Sequence, residues 1–175
     1  NASAVTYQIG VFESVEYKNS NATNVRIAAV SHDYPKAITI DIDDGRFFTE
    51  QESEGGRNVA IIGETVAENL FGTINPVGKT IKVGGYKMVI IGSFAPAGNS
   101  LLPGGFDEAV MIPVKFASKF IDLNRADASV VIKAKEGISV DELIEETISV
   151  FRPIRKLKPK KDDDSNEESS KKDDT

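Results

Sequence analysis

GRFFTEQESEGGRNVAIIGETVAENLFGTINPVGKTIKVGGYKMVIIGSF, residues 45–94, is the stretch whose reading decides the fold. Thr49 followed by Glu52 fits a capping box, in which the threonine oxygen accepts from an early helix amide and the glutamate reaches back to the cap. Gly55-Gly56 ends that short helix. The run NVAIIG at 58–63 is compact and apolar, which predicts a buried strand. In ETVAENLFG, which follows, Val66 and Leu70 lie four apart, as do Ala67 and Phe71, so a helix here has one apolar face. Gly72 stands where a left-handed C-terminal cap is expected. Asn75-Pro76-Val77-Gly78 reads as a turn. Residues 79–83, the pair Gly84-Gly85 and residues 86–94 then read as a hairpin.

Outward from this module the pattern stays mixed. On the N-terminal side Val5, Tyr7 and Ile9 alternate, and Val11, Val15 and Tyr17 lead to the polar KNSNATN. Val25, Ile27 and Ala29 alternate beyond it, so 11–30 reads as a hairpin with a long, asparagine-rich loop. Tyr34-Pro35 breaks the strand. Ile38, Ile40 and Ile42 resume alternation into Asp43-Asp44-Gly45, a tight-turn signal. On the C-terminal side, 95–106 is a loop, 109–112 a strand, and Pro113 opens a helix whose face is Val114, Ala117, Phe120 and Ile121. A strand at 129–134 precedes a second capping box, Ser139 with Glu142, and a helical stripe through Val140, Ile144, Thr147 or Ile148, and Phe151. Hairpins interleaved with single helices mean an α+β fold, not a doubly wound parallel sheet. From 158 to 175 no apolar residue remains, and this charged tail is expected to be disordered.

Composition bounds what the chain does. Its 175 residues suffice for a real core, and 40% hydrophobic content is that of an ordinary folded domain. A formal net charge of −6 argues against a nucleic-acid partner. With no cysteine, disulfides, thiol catalysis and cysteine-bound zinc are excluded. No apolar run approaches the roughly 18–20 residues that cross a bilayer.

No catalytic constellation can be assembled. His32, the single histidine, could serve as a base or metal ligand, but beside a strand-to-proline turn it reads as a loop residue. Asp41, Asp43, Asp44, Glu50 and Glu52 cluster in sequence, yet Asp41-Ile42-Asp43-Asp44-Gly45 departs from the calcium-loop spacing. Turn chemistry and helix N-terminal charge account for them. Gly72 to Gly78-Lys79-Thr80 imitates a phosphate loop with one residue too many and a strand where the helix should begin. No catalytic, metal or cofactor site is therefore expected. The loop around Leu101, Leu102 and Phe106 is the candidate partner-binding segment. Its apolar side chains either plug the core or form an exposed patch that a partner covers.

GRFFTEQE, NVAIIGETVAENLFG and NPVGKTIKVGGYKMVIIGSF resemble, in this order, the periplasmic core domain of MacB-type ABC transporter permeases, which is shared more widely with FtsX-like permeases. Echoes follow in DEAVMIPVKFASKF and SVVIKAKEGISVDEL, and HDYP…IDIDDGRFF matches the same order from the N-terminal side. The resemblance implies a two-lobed α+β domain with a mixed sheet. A porter-like lobe would come from both chain ends (1–44 and 97–157), with a small α/β lobe inserted at 45–96. It also implies a non-catalytic periplasmic or extracellular segment of an inner-membrane permease. ATP would be hydrolysed by a separate cytoplasmic ATPase domain, and the parent would be a dimer working with a periplasmic adaptor or lipoprotein. In the family this domain lies between two transmembrane helices, and neither is in this sequence. A stand-alone secreted recognition module is the alternative.

Overall fold

Alternation of apolar and polar residues carries the chain into its first two strands, β1 (Ala2–Tyr17) and β2 (Ser20–Val30), which pair antiparallel. A computed structural model describes residues 2–96, 105–121 and 127–155, with backbone alone at 127 and 150–155. The tail 158–175 lies outside the described residues. The expected asparagine-rich loop is not a loop. Only Lys18 and Asn19 turn, and Ser20, Asn21 and Ala22 continue the ladder opposite Tyr17, Glu16 and Val15. The surplus residue is absorbed by a bulge. Between the pairs Val15–Ala22 and Glu13–Val25 the register slips, and Asn24 adopts a φ of 58°. Asparagine tolerates that left-handed geometry, so the polar run can bulge without leaving the sheet.

Pro35 sits in the first turn of α1 (Tyr34–Ala37), a helix of four residues. Ile38 and Ile40 then pass without strand pairing, although both pack against the core, and β3 (Ile42–Gly45) begins only at the last of the alternating isoleucines and runs through the segment read as a turn. Gly45 ends β3 at a φ of +81°, where a Cβ would lie 2.2 Å from the Ile91 carbonyl oxygen.

The capping box forms as spaced. In α2 (Glu50–Glu54) the Thr49 hydroxyl accepts from the Glu52 amide at 3.2 Å, and the Glu52 carboxylate accepts from the Thr49 amide at 2.9 Å. Arg46 adds a two-pronged contact to the same carboxylate at 2.7 and 2.8 Å. The guanidinium is the largest cause holding the Glu52 carboxyl down at about 2, against an ordinary 4.5. A depressed carboxyl stabilises the folded state above its unfolded value and loses that contribution as pH falls through the folded one. Glu52→Gln is therefore expected to flatten the acid limb of stability between about pH 4.5 and about pH 2. Denaturant midpoints measured across that window check it.

β4 (Val59–Ile62) is buried at Ala60, Ile61 and Ile62, and α3 (Glu64–Phe71) turns Val66, Leu70 and Phe71 inward. Gly72 follows at a φ of 60°. β5 (Thr80–Val83) and β6 (Tyr86–Phe94) form the expected hairpin, turned by Gly84 and Gly85 with φ of 54° and 86°. After it come β7 (Ala109–Pro113), α4 (Val114–Ala117) and β8 (Asp127–Ala134).

The eight strands make one mixed sheet in the order β2-β7-β4-β6-β5-β1-β8, with β3 beside β6. Because β1 also pairs with β2, the ladder closes on itself through β1, β2, β7, β4, β6 and β5. β2–β7 and β4–β6 are parallel and the other pairs antiparallel. The segment 45–96 thus shares hydrogen-bonded edges with strands from both sides of it in the chain. One face packs Ile27, Ile62, Ile81, Ile90 and Ile112 with α3 and α4; the other packs Val30, Tyr34, Ile61, Phe94 and Met111. β7 is buried at all five positions, as a strand covered on both faces must be.

Residues 2–136 form this unit, and the segment from Gly137 is a second. The second carries α5 (Val140–Arg155), begun by a second capping box. The Ser139 hydroxyl accepts from the Glu142 amide at 3.2 Å, and the Glu142 carboxylate accepts from the Ser139 amide at 3.3 Å.

Candidate partner site

Of the three residues expected to meet a partner, Leu101 and Leu102 lie outside the described residues and Phe106 lies within them. Phe106 is half-buried. Its ring stacks on Phe94, the last residue of β6, with centroids 4.9 Å apart and planes 25° apart, and meets Tyr34 edge-on at 6.4 Å. Both partners are buried core residues, and the Tyr34 hydroxyl donates to Gln8 Oε1 at 2.7 Å. Phe106 is thus core on one side and surface on the other.

Backbone contacts hold the turn that carries it. The Ala109 amide donates to the Phe106 carbonyl at 3.1 Å, and the Gly63 amide donates to the Ala109 carbonyl at 2.8 Å. Gly63 caps α3 and has no side chain to offer, so the Val66 amide donates instead to the Asp107 carbonyl at 3.4 Å. A Cβ at Gly63 would fall 2.1 Å from the Phe106 carbonyl oxygen and 2.2 Å from that of Asp107. Only glycine lets the turn lie this close. On the other flank the Ala95 amide donates to the Asp41 carbonyl at 2.9 Å. The residues on either side of 97–104 are therefore two fixed posts, joined by the Phe94–Phe106 stack.

Beside the posts lies a cleft of about 540 Å³, lined by Asp43, Asp44, Glu64 and Glu68 with Phe94 and Pro96. Asp44 is engaged in structure: its carboxylate accepts from the Gly45 amide at 2.8 Å and from Asn75 Nδ2 at 2.7 Å. Asn75 Oδ1 in turn accepts from the Val77 amide at 2.8 Å, which sets the turn before Gly78. Four carboxylates around one cleft make a field that repels phosphates.

The other weighed residues fall elsewhere. His32 is half-buried, with Nδ1 enclosed and without a hydrogen-bond partner among the described residues. Glu52 belongs to the α2 cap, and no group of three or more acids and histidines among the described residues is arranged to hold a metal. No helix among the described residues is long and apolar enough to cross a membrane. Gly63 is what sequence reading missed. It stood there only as the end of an apolar run, and a close backbone approach from a segment more than forty residues away leaves no local signature.

A family model described as "MacB-like periplasmic core domain" matches residues 2–150. The pyoverdine export ATP-binding/permease protein PvdT of Pseudomonas aeruginosa is 30% identical over 115 residues, covering 61% of this chain and 17% of that one. The macrolide export ATP-binding/permease protein MacB of Chlorobium phaeobacteroides is 37% identical over 103 residues, covering 59% and 15%. This chain thus corresponds to about a sixth of the length of these relatives. Among solved structures, the periplasmic region of MacB from Actinobacillus actinomycetemcomitans superposes with a TM-score of 0.75 at 15% identity, covering 89% of this chain and 68% of that one. The extracellular domain of the ABC-type transporter YknZ from Gram-positive bacteria gives 0.73 at 19%, covering 90% and 78%.

Proposed function

The chain belongs to the MacB-like periplasmic core domain family, and from that premise we propose that it couples ATP hydrolysis inside the cell to export or mechanical work outside it. The domain itself is non-catalytic. A separate cytoplasmic ATPase domain burns the nucleotide, the permease carries the motion through the membrane, and this segment meets the partner or substrate on the far side. A periplasmic adaptor or lipoprotein is the partner, and the parent permease works as a dimer in the inner membrane.

The observation that carries this reading is the match of one transporter-domain family across residues 2–150, which takes in all the described strands. The relatives' printed names, ATP-binding/permease proteins for export, support the transport role. The acidic cleft, unsuited to nucleotide phosphates, agrees with hydrolysis taking place elsewhere. Phe106, with Leu101 and Leu102, forms the contact surface in this proposal.

Reading the parent gene on both sides of this segment tests it. Apolar stretches of roughly 20 residues on each flank, and a coding region for an ATPase, are the expected result. A secretion signal immediately upstream with a stop codon soon after Thr175 would leave a secreted recognition module instead.

A further inference from the structure

Among the described residues two strands of the mixed sheet are paired on one side only, and they are protected very differently. β3 pairs only with β6, and it has the devices that blunt an edge: four residues, two of them aspartates, ending in a glycine. Among the described residues β8 pairs with β1 alone. It runs eight residues, DASVVIKA, with no proline or glycine and with charges only near its two ends, the aspartate at 127 and the lysine at 133. The single register slip between them, at Ala2–Ala4, lies on the β1 side. Val130 at the middle of β8 is 50% exposed, and Tyr7, its neighbour on β1, is 46% exposed. An exposed, regular edge of this length with an apolar middle is a template for another strand.

We propose that the β8 edge docks a second copy of this chain, strand to strand and antiparallel across a two-fold axis, with Val130 facing Val130 of the copy.

Backbone geometry restricts the register. Along the free edge only every second residue presents its amide and carbonyl outward, so outward residues must meet outward residues. Facing residue numbers must therefore sum to an even value. The same condition keeps like faces together, so the side bearing Val130 and Tyr7 continues into its equivalent on the copy, and the side packed under Tyr34 and Val131 does likewise. Among the even registers, the one centred on Val130 sets position 127, an aspartate, across from position 133, a lysine, at both ends of the pair. It also sets Ala128 across from Ile132. Centring on Val131 instead brings Lys133 opposite Ser129 and leaves position 127 without a mate. Charge complementarity thus selects the second copy and its register together. This interface is independent of what the parent protein transports.

Cysteine crosslinking reads the register directly, because the sequence has no cysteine of its own. Facing residues of an antiparallel pair have Cα atoms about 4.5–5.5 Å apart, within reach of a disulfide. Ile132 and its copy would be offset by four residues, about 13 Å along the strands, which is out of reach. The 175-residue chain with Val130→Cys is expected to form a reducible dimer on mild oxidation, and the chain with Ile132→Cys to remain monomeric. Adding Lys133→Glu to Val130→Cys should slow the crosslink about tenfold, and adding Asp127→Lys as well should restore it, since opposite charges facing across strands attract and like charges repel. Equal crosslinking at 130 and 132 would overturn the proposal, as would no crosslink at 130 in a chain whose circular dichroism is native. Sedimentation of Lys133→Glu beside the charge-swapped pair supplies the same comparison without cysteine: unchanged self-association in both would also overturn it.

Discussion

Gly63→Ala is expected to destabilise the domain by about 3 kcal/mol or more, the upper range for forcing an atom into a packed site. The backbone at Gly63 is ordinary, with φ of −74° and ψ of 155°, so strain of the residue itself is not the cause. The added methyl would lie 2.1 to 2.5 Å from three backbone atoms of Phe106 and Asp107, none of which can rotate away as a side chain can. Either β4 or the 105–108 turn must retreat. Retreat breaks the bond from the Gly63 amide to the Ala109 carbonyl and the bond from the Val66 amide to Asp107, each worth about 1 kcal/mol. In a chain of this size a loss of 3 kcal/mol lowers the melting midpoint by about 6–12 °C. Gly10→Ala is the control, because a Cβ there meets nothing within 4 Å and its φ is not left-handed. Its midpoint should hold or rise slightly. Equal midpoints for the two variants would mean that the turn does not lie on Gly63.

Phe106→Asp is expected to cost about 2–4 kcal/mol, from lost ring packing and from a carboxylate left against an apolar wall. The wall is Phe94 at 4.9 Å and Tyr34 at 6.4 Å, both buried. Thermal unfolding of this variant beside Phe106→Leu, which keeps most of the apolar volume, separates the two contributions. Phe106→Leu should lose less than half as much. A Phe106→Asp midpoint equal to that of the unaltered chain would show the ring to be free of the core. The comparison matters for partner binding too. A binding defect in Phe106→Asp reports on contact only if Phe106→Leu, with its fold retained, shares it.

Features set by short-range chemistry were readable in advance. Thr49 and Glu52 form their capping box because both ends of the interaction lie within one helical turn. Gly84 and Gly85 turn the β5–β6 hairpin because positive φ is nearly free for glycine. The apolar run at 58–63 is a buried strand because no polar residue interrupts it. Reading failed where a distant partner decides. Residues 20–24 look like a loop, yet β1 offers them a ladder, and satisfying backbone groups outweighs their turn preference. Ile38, Ile40 and Ile42 alternate like a strand, yet pairing starts only at Ile42, where β6 comes within reach.

At the candidate site the same division holds. An apolar loop with Leu101, Leu102 and Phe106 could be singled out by composition, but whether Phe106 is plug or patch depends on Phe94 and Tyr34, which are brought to it by other strands.

By itself, then, the amino-acid sequence determined most of the element types and turns, the absence of cysteine chemistry and the membership that the words of residues 45–94 announce. The tertiary structure alone decided which strands are neighbours. It set β4 parallel to β6 and antiparallel to β7, closed β1 onto both β2 and β5, and, among the described residues, left β8 paired on one side. The physical reason is range. Caps, turns and amphipathic faces are interactions within a few residues, whereas strand order and close backbone approach come from packing the whole chain at once.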